Sequence, residues 1–366
     1  MARVSEVTLT PKDRGDRPVS AGSADGLRFA PVVDRDLVHR ARSAEVYITG
    51  YASTPGDRFT VWARWPLTHP LYCPGGRYHP TLLLETMRQA VLTVCHGLLE
   101  VPYGTRFVMS RITADGLDRL PRVGPDPTQI RLDLARTPGP GKNRSEWQMS
   151  IHVGDHTTLT GGGALVLLTS SQYARIRRGY ADQVRAAAPS RPIQHQRVGR
   201  EHPGDVCLAG QPGGGFGLHV DQDHPIFYDH PLDHVPGALL LEAALQRAHA
   251  HHPSFRPATI ETHFHAFLEP DQACTVDCTP TPEHPGRGLL IKFQQDNLIK
   301  TTVRLTAPQA GGHLRIVPVA APVGRFPPGR VPDWGVPQND RLWYSCTASH
   351  VSVPGVACQK SSARRW

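Results

Sequence analysis

Two glutamates carry the strongest chemical signal in this sequence. Glu85 lies in the run H-P-T-L-L-L-E-T-M-R-Q (79–89) and Glu242 in V-P-G-A-L-L-L-E-A-A-L-Q (235–246). Each sits among apolar residues at helical spacing, which turns its carboxyl toward the interior. A buried acid is costly unless it is paired or it works. Desolvation raises its pKa toward the range useful for acid–base catalysis. Glu85 and Glu242 are therefore catalytic candidates. Arg88 and Gln89 follow Glu85 by three and four residues and share its helix face. The first helical turns, at Pro80–Thr81 and Pro236–Gly237, offer backbone N–H groups and a positive dipole end. That suits the oxygen of a thioester carbonyl as it becomes an oxyanion.

A histidine-rich loop, D-H-P-I-F-Y-D-H-P-L-D-H, precedes the second helix. His230 and His234, directly ahead of the turn, join the catalytic candidates, with packing at the start of the helix as their competing role. His224, His230 and His234 have no supporting acid or cysteine at a recognised ligand spacing, so no metal site is expected. His69, His224, His249, His251, His252, His263 and His265 are assigned structural or surface roles.

These residues sit in a stretch that occurs twice. His69-Pro70 answers His224-Pro225 at an offset of 155, and Leu82 to Glu85 answers Leu239 to Glu242 at an offset of 157. The period is too long for a solenoid of about 20–50 residues and marks two related domains. Each copy reads as strands, a loop, one buried helix (residues 81–99 and 238–251) and further strands. In the first half the strands fall at 44–49, 59–65, 106–112, 130–135, 146–153 and 164–169. In the second they fall at 206–209, 216–220, 259–267, 274–279, 289–294 and 299–306. The glycine runs at 161–163 and 213–215 lack the residues of a P-loop or dinucleotide fingerprint and read as turns. Alternating helices are absent, so a parallel α/β fold is excluded. The expected class is α+β, with a long helix wrapped by an antiparallel sheet in each half.

The 366 residues suit two domains with extra tail, and 34 glycines and 35 prolines imply many turns. The boundaries are a disordered lead-in at 1–28, a first domain at 29–170, a linker at 171–196, a second domain at 197–308 and a Pro/Gly-rich basic tail at 309–366. In the linker, Arg175, Arg177 and Arg178 read as a solvated face. Seven irregularly spaced cysteines read as reduced thiols of a cytoplasmic protein. No signal peptide or membrane span is expected. The net charge of +8 favours anionic partners. No helix-turn-helix or zinc-finger pattern supports nucleic acid.

The segment 224–246 resembles the motif of hotdog-fold hydroxyacyl-carrier-protein dehydratases, in which a His-containing loop precedes P-G-x-L-x-x-E-A-x-x-Q. Residues 35–308 more closely resemble the A-factor biosynthesis family of streptomycete and related bacteria. The matching pieces are Val38-His39-Arg40, the run at 79–89, Val198-Gly199-Arg200 with Asp205-Val206, and D-H-P-L-D-H-V-P-G at 229–237. The resemblance implies two hotdog domains in tandem, a pseudo-dimeric double hotdog. It also implies an acyltransferase moving a β-ketoacyl group from acyl carrier protein to the hydroxyl of dihydroxyacetone phosphate, with Arg88, Gln89, Gln246 and Arg247 as the substrate-binding set and the arginines holding the phosphate. The product would lead to a γ-butyrolactone, butenolide or furan signal that controls antibiotic production. No cofactor is implied, and the chain is expected as a monomer or homodimer. Two departures stand out. Leu245 replaces the family's arginine in the second copy, and Cys73-Pro74-Gly75-Gly76 replaces the D-H-P-x-D-H loop in the first. The competing readings are a hotdog dehydratase or thioesterase, or a non-catalytic regulator binding acyl thioesters or DNA.

Overall fold

The computed structural model describes residues 31–139, 141, 143–154, 157–309 and 344–345. The lead-in at 1–28 and nearly all of the tail at 309–366 lie outside the described residues. The first half contributes β1 (Ile48–Thr54), β2 (Arg58–Trp65), helix α1 (Pro80–Gly97), β3 (Arg106–Asp115), β4 (Thr128–Pro138), β5 (Arg144–Val153) and β6 (Thr157–Leu168). A short helix α2 (Ser170–Arg177) opens the connector. The second half contributes β7 (Leu208–Gly210), β8 (Phe216–Leu218), helix α3 (Gly237–His251), β9 (Thr259–Phe264), β10 (Thr275–Pro280), β11 (Gly288–Gln295) and β12 (Leu298–Thr306).

One antiparallel sheet runs through both halves in the order β1-β2-β4-β5-β6-β3-β9-β12-β11-β10-β8-β7. Read inward from either edge, the two halves give the same sequence of strands. They join at β3 and β9, paired from Arg111↔His263 to Asp115↔Thr259. A two-residue strand β13 (Tyr344–Ser345) also pairs with β3, at Met109 and Val108. This is the double hotdog that the sequence implied.

The helices are buried because their apolar residues nearly encircle them. On α1, Leu82, Leu83, Leu84, Met87, Ala90 and Val94 all face the core. His79 caps α1 and Pro80 takes its first position, where a missing N–H costs nothing. In α3 the same two places belong to Pro236 and Gly237.

Three local expectations need correction. Gly161, Gly162 and Gly163 are not a turn but the middle of β6. A Cβ there would stand 2.5 Å from the Met87 Cε, 2.4 Å from the Trp147 carbonyl oxygen and 2.7 Å from the Arg111 carbonyl oxygen. The run lets α1 and the neighbouring strands approach closely. The expected strand at 44–49 is a short 3-10 turn (Ser43–Glu45) followed by β1. The reason is that the Gln89 side chain takes the Tyr47 N–H and the Glu45 carbonyl away from any strand ladder. Arg177 is not on a solvated face. It is 3% exposed and bonds the Glu269 carboxylate at 2.7 and 3.0 Å.

Candidate active site

Glu85 sits on α1 at the centre of a buried ionic cluster. Its Oε1 accepts from Arg40 Nε at 3.0 Å, Arg88 Nη2 at 2.7 Å and Gln89 Nε2 at 2.7 Å, and its Oε2 accepts from Arg88 Nε at 2.9 Å. Burial alone would push this carboxyl up. The Arg40 and Arg88 charges and the hydrogen bonds outweigh that and hold it at about 2. Arg40 reaches across to the other half, donating to the Ile226 carbonyl at 2.8 Å and approaching Asp229 Oδ2 at 3.5 Å. Asp229 Oδ1 lies 2.5 Å from His230 Nδ1. Burial raises the Asp229 carboxyl, but the His230 hydrogen bond and the Arg40 charge bring it to about 2. A carboxylate beside Nδ1 favours the tautomer that carries its proton on that nitrogen.

Glu242 occupies the matching place on α3. Its Oε1 accepts from Arg200 Nε at 2.7 Å, from Arg200 Nη2 and from Gln246 Nε2 at 2.7 Å. Arg200 returns the reach of Arg40, donating to the Leu71 carbonyl of the first half at 3.2 Å. The scaffolds correspond atom for atom. Gln246 bonds the Cys207 N–H and Asp205 carbonyl as Gln89 bonds Tyr47 and Glu45. His224 pairs with Asp205 at 3.4 Å and accepts two loop N–H groups, as His69 does with Glu45 at 3.3 Å.

The difference lies in the second oxygen. Leu245 stands where Arg88 stands in the first half. Glu242 is 0% exposed, and its Oε2 has no hydrogen-bond partner among the described residues. His79 Nδ1 is nearest, at 3.7 Å. Burial and then the Arg200 charge hold the His79 imidazole well below its ordinary pKa, so it is neutral.

Three cavities open near these clusters. A narrow cleft of ≈ 20 Å³ brings Glu85 and Arg88 against Gly237 and Ala238, the first turn of α3. The N–H groups of such a turn have no acceptor within their own helix. Arg88, Met109 and Ile112 also line an apolar channel of ≈ 50 Å³ that continues toward Trp147, Met149 and the β6 glycines. Beside Arg200 and Gln246, which bond Glu242, a wider cavity of ≈ 620 Å³ is lined by Arg77, His79, Arg200, His249 and Arg256.

A sequence model described as the A-factor biosynthesis hotdog domain matches residues 23–166 and 181–307. The chain belongs to the A-factor biosynthesis hotdog family. A protein of Streptomyces virginiae named 2-oxo-3-(phosphooxy)propyl 3-oxoalkanoate synthase is 33% identical over 275 residues, spanning 72% of this chain and 94% of that protein. A synthase of the same name from Streptomyces coelicolor is 31% identical over 316 residues, spanning 83% and 96%. Among solved structures, an acyl-ACP thioesterase from Bacteroides thetaiotaomicron superposes with a TM-score of 0.45 at 11% identity, covering 70% of this chain and 99% of that one.

For this A-factor family chain, the structure redistributes several of the roles read from sequence. The amides of Gln89 and Gln246 are engaged by backbone groups and by the glutamates. Arg247 does not face the Glu242 cavity. Its Nε donates to the Val276 carbonyl at 3.2 Å and its guanidinium stacks 4.3 Å over Phe216. His234 belongs to another buried cluster, with Asp233 at 2.6 Å, and Tyr173 donating to Asp233 at 2.8 Å. Glu85 has both oxygens engaged, and its carboxyl is held low by Arg40 and Arg88. Sequence reasoning missed Arg40, Arg200, Asp229 and His79 as site residues. The recurrence of Val38-His39-Arg40 as Val198-Gly199-Arg200 was the signal for the two arginines. Among the described residues Cys73, Cys95, Cys207, Cys274 and Cys278 are free thiols, and no group of three or more metal-ligating side chains occurs. No described helix is long and apolar enough to cross a membrane.

Proposed function

We propose that this chain is an acyltransferase that moves a β-ketoacyl group from the thioester of acyl carrier protein to a hydroxyl of dihydroxyacetone phosphate. The observation that carries this reading is the single cleft in which Glu85 and Arg88 meet the first turn of α3 and open into the apolar channel. The names and near full-length match of the Streptomyces relatives support it.

The thioester carbonyl oxygen rests on the Gly237 and Ala238 N–H groups, and the acyl chain runs past Met109 and Ile112 into the channel. Asp229 holds His230 with Nε2 as acceptor. The acceptor hydroxyl attacks the carbonyl carbon and gives its proton to that nitrogen. The tetrahedral oxyanion is held by the two N–H groups. Its collapse breaks the carbon–sulfur bond, and His230 returns the proton to the leaving thiol. Arg88, fixed by Glu85, faces the phosphate as a charge-assisted donor.

Mass spectrometry of the purified chain with a β-ketoacyl carrier-protein thioester, with and without dihydroxyacetone phosphate, tests this directly. The expected result is a phosphorylated β-ketoester that requires both substrates. Loss of thioester without the acceptor identifies a thioesterase instead, and an enoyl thioester identifies a dehydratase.

A further inference from the structure

Beside the two arginines of the Glu85 cluster stands a histidine in a conformation that histidine seldom adopts. The 3-10 turn Arg35–Val38 ends on His39, whose backbone is left-handed at φ 53° and ψ 54°. For a residue with a Cβ that conformation is costly and persists only where its surroundings impose it. Its two neighbours in the chain both serve the cluster. Arg40 bonds Glu85 through its side chain. The Val38 carbonyl accepts from Arg88 Nη2 at 3.1 Å, so Arg88 is held both by Glu85 and by this turn.

The His39 side chain ties the turn to the far end of α1. It is 6% exposed, and its Nε2 lies 2.8 Å from Nε2 of His96, in the last turn of that helix. His96 Nδ1 lies 2.7 Å from the Val101 carbonyl, which only accepts, so this nitrogen donates. Burial holds the His96 imidazole below its ordinary pKa, against the pull of that carbonyl, and the ring is neutral near pH 7. Its Nε2 is therefore an acceptor, and the proton between the rings belongs to His39. Phe107 packs edge-on to His39 with ring centres 5.3 Å apart, and Tyr103 stacks on His96 at 4.7 Å.

The second half lacks the whole arrangement. Its turn, His195–Val198, ends on Gly199, which takes the left-handed region at φ 68° without strain. At the helix offset of 157, Pro253 stands where His96 stands and Leu245 where Arg88 stands. The histidine pair and the second arginine are present together in one half and missing together in the other. Arg200 keeps its bonds to Glu242 with a glycine before it, so a histidine is not needed to place the arginine that follows. What remains for it is Arg88.

We infer that His39, latched to His96, is a positioning residue that fixes the Arg88 guanidinium toward the acceptor phosphate in the acyl cleft. The inference rests on the acyl-transfer reading and deepens it, naming what keeps the phosphate-binding side chain in place. Without the latch the turn relaxes, the Val38 carbonyl moves off Arg88, and the guanidinium swings about Glu85.

Steady-state kinetics of the full chain with a β-ketoacyl carrier-protein thioester and dihydroxyacetone phosphate, beside a thermal melt, test it. His39→Gly keeps the left-handed turn, as in the second half, and loses the latch. The expected result is a KM for dihydroxyacetone phosphate raised at least about tenfold, with kcat and the thioester KM within about threefold of wild type. His96→Leu gives the same shift, and the two together give no more than either alone, because they break one bond. His96→Gln, whose amide oxygen accepts at the same place, restores the wild-type KM. In an Arg88→Ala background His39→Gly changes nothing further. A fall in kcat with both KM values unmoved, as a general loss of fold would produce, overturns the inference. If Arg88→Ala raises the acceptor KM and His39→Gly does not, the latch alone is refuted and the acyl-transfer reading stands. If wild-type protein makes no ester from the two substrates, that reading fails and the inference falls with it.

Discussion

The two halves share a scaffold and diverge at three side chains. Both place a glutamate on a buried helix, a glutamine one turn later, and an arginine that crosses to a carbonyl of the other half. At the first position of the helix, α1 has Pro80, which carries no N–H, and α3 has Gly237, which does. One turn into the helix, Arg88 saturates Glu85, whereas Leu245 leaves Glu242 half-bonded. Before the arginine the turn carries His39 in the first half and Gly199 in the second, where the His249 ring takes the space that a Cβ would need. The first turn of α3, the Asp229 carboxylate beside Arg40 and the apolar channel all lie at the Glu85 end. The open polar volume gathers at the Glu242 end. Matching scaffold therefore does not mean matching chemistry, because the decisive atoms belong to residues that lie beside the repeated acid.

The largest test of that division is His230→Ala, which should lower kcat by about 10²–10⁴-fold with the fold intact by circular dichroism. An unchanged rate would remove the Asp229–His230 pair from the mechanism. Next is Gly237→Pro, which copies Pro80 onto α3. Pro236 has φ −66° and ψ 142°, which tolerates a following proline, and the first helical position needs no N–H of its own. We expect kcat to fall about 10²–10³-fold while Tm moves little, as measured by steady-state kinetics beside a thermal melt. A large drop in Tm would make the variant a folding lesion and void the comparison.

The Glu85 cluster also predicts a pH effect. Its folded pKa of about 2 lies below the ordinary 4.5, and that of Asp229, also about 2, lies below 3.8. The unfolded chain therefore binds more protons in this window. The stability contributed is full above about pH 4.5 and is lost as pH falls toward 2, on the order of 3 kcal/mol for Glu85. Urea melts between pH 5 and 2.5 should steepen with acid in wild-type protein and flatten in Glu85→Gln. Equal slopes would show that the cluster is not ionised as described. The smallest expected effect is that of Gly163→Ala, at about 1–3 kcal/mol, because its Cβ meets a backbone carbonyl at 2.7 Å. β12, the matching strand of the second half, contains no glycine.

Much of this was legible before any coordinates. The helix stripes, the duplicated Leu-Leu-Leu-Glu run and the alternation of the strands gave both helices to within about two residues. What escaped the sequence depends on contacts between distant segments. Arg40 and Arg200 become site residues only because each crosses to the other half, about 186 and 129 positions away in the chain. The β6 glycines look like a turn because local propensity knows nothing of a helix pressing on a strand. Arg177 looks solvated because its partner, Glu269, is 92 residues distant. The hydrogen bonds of Gln89 and Gln246 to backbone across the chain are likewise invisible in the sequence.

The seam between β3 and β9 lies inside a single polypeptide. Two identical chains meeting across such a seam would carry every substitution twice, once on each side of the axis. A proline at the start of one helix would then silence both ends together, and a leucine in place of the arginine would strip both glutamates. With the halves tethered, a change enters one end alone. The Glu85 end keeps its second arginine while the Glu242 end is free to carry a leucine in its place.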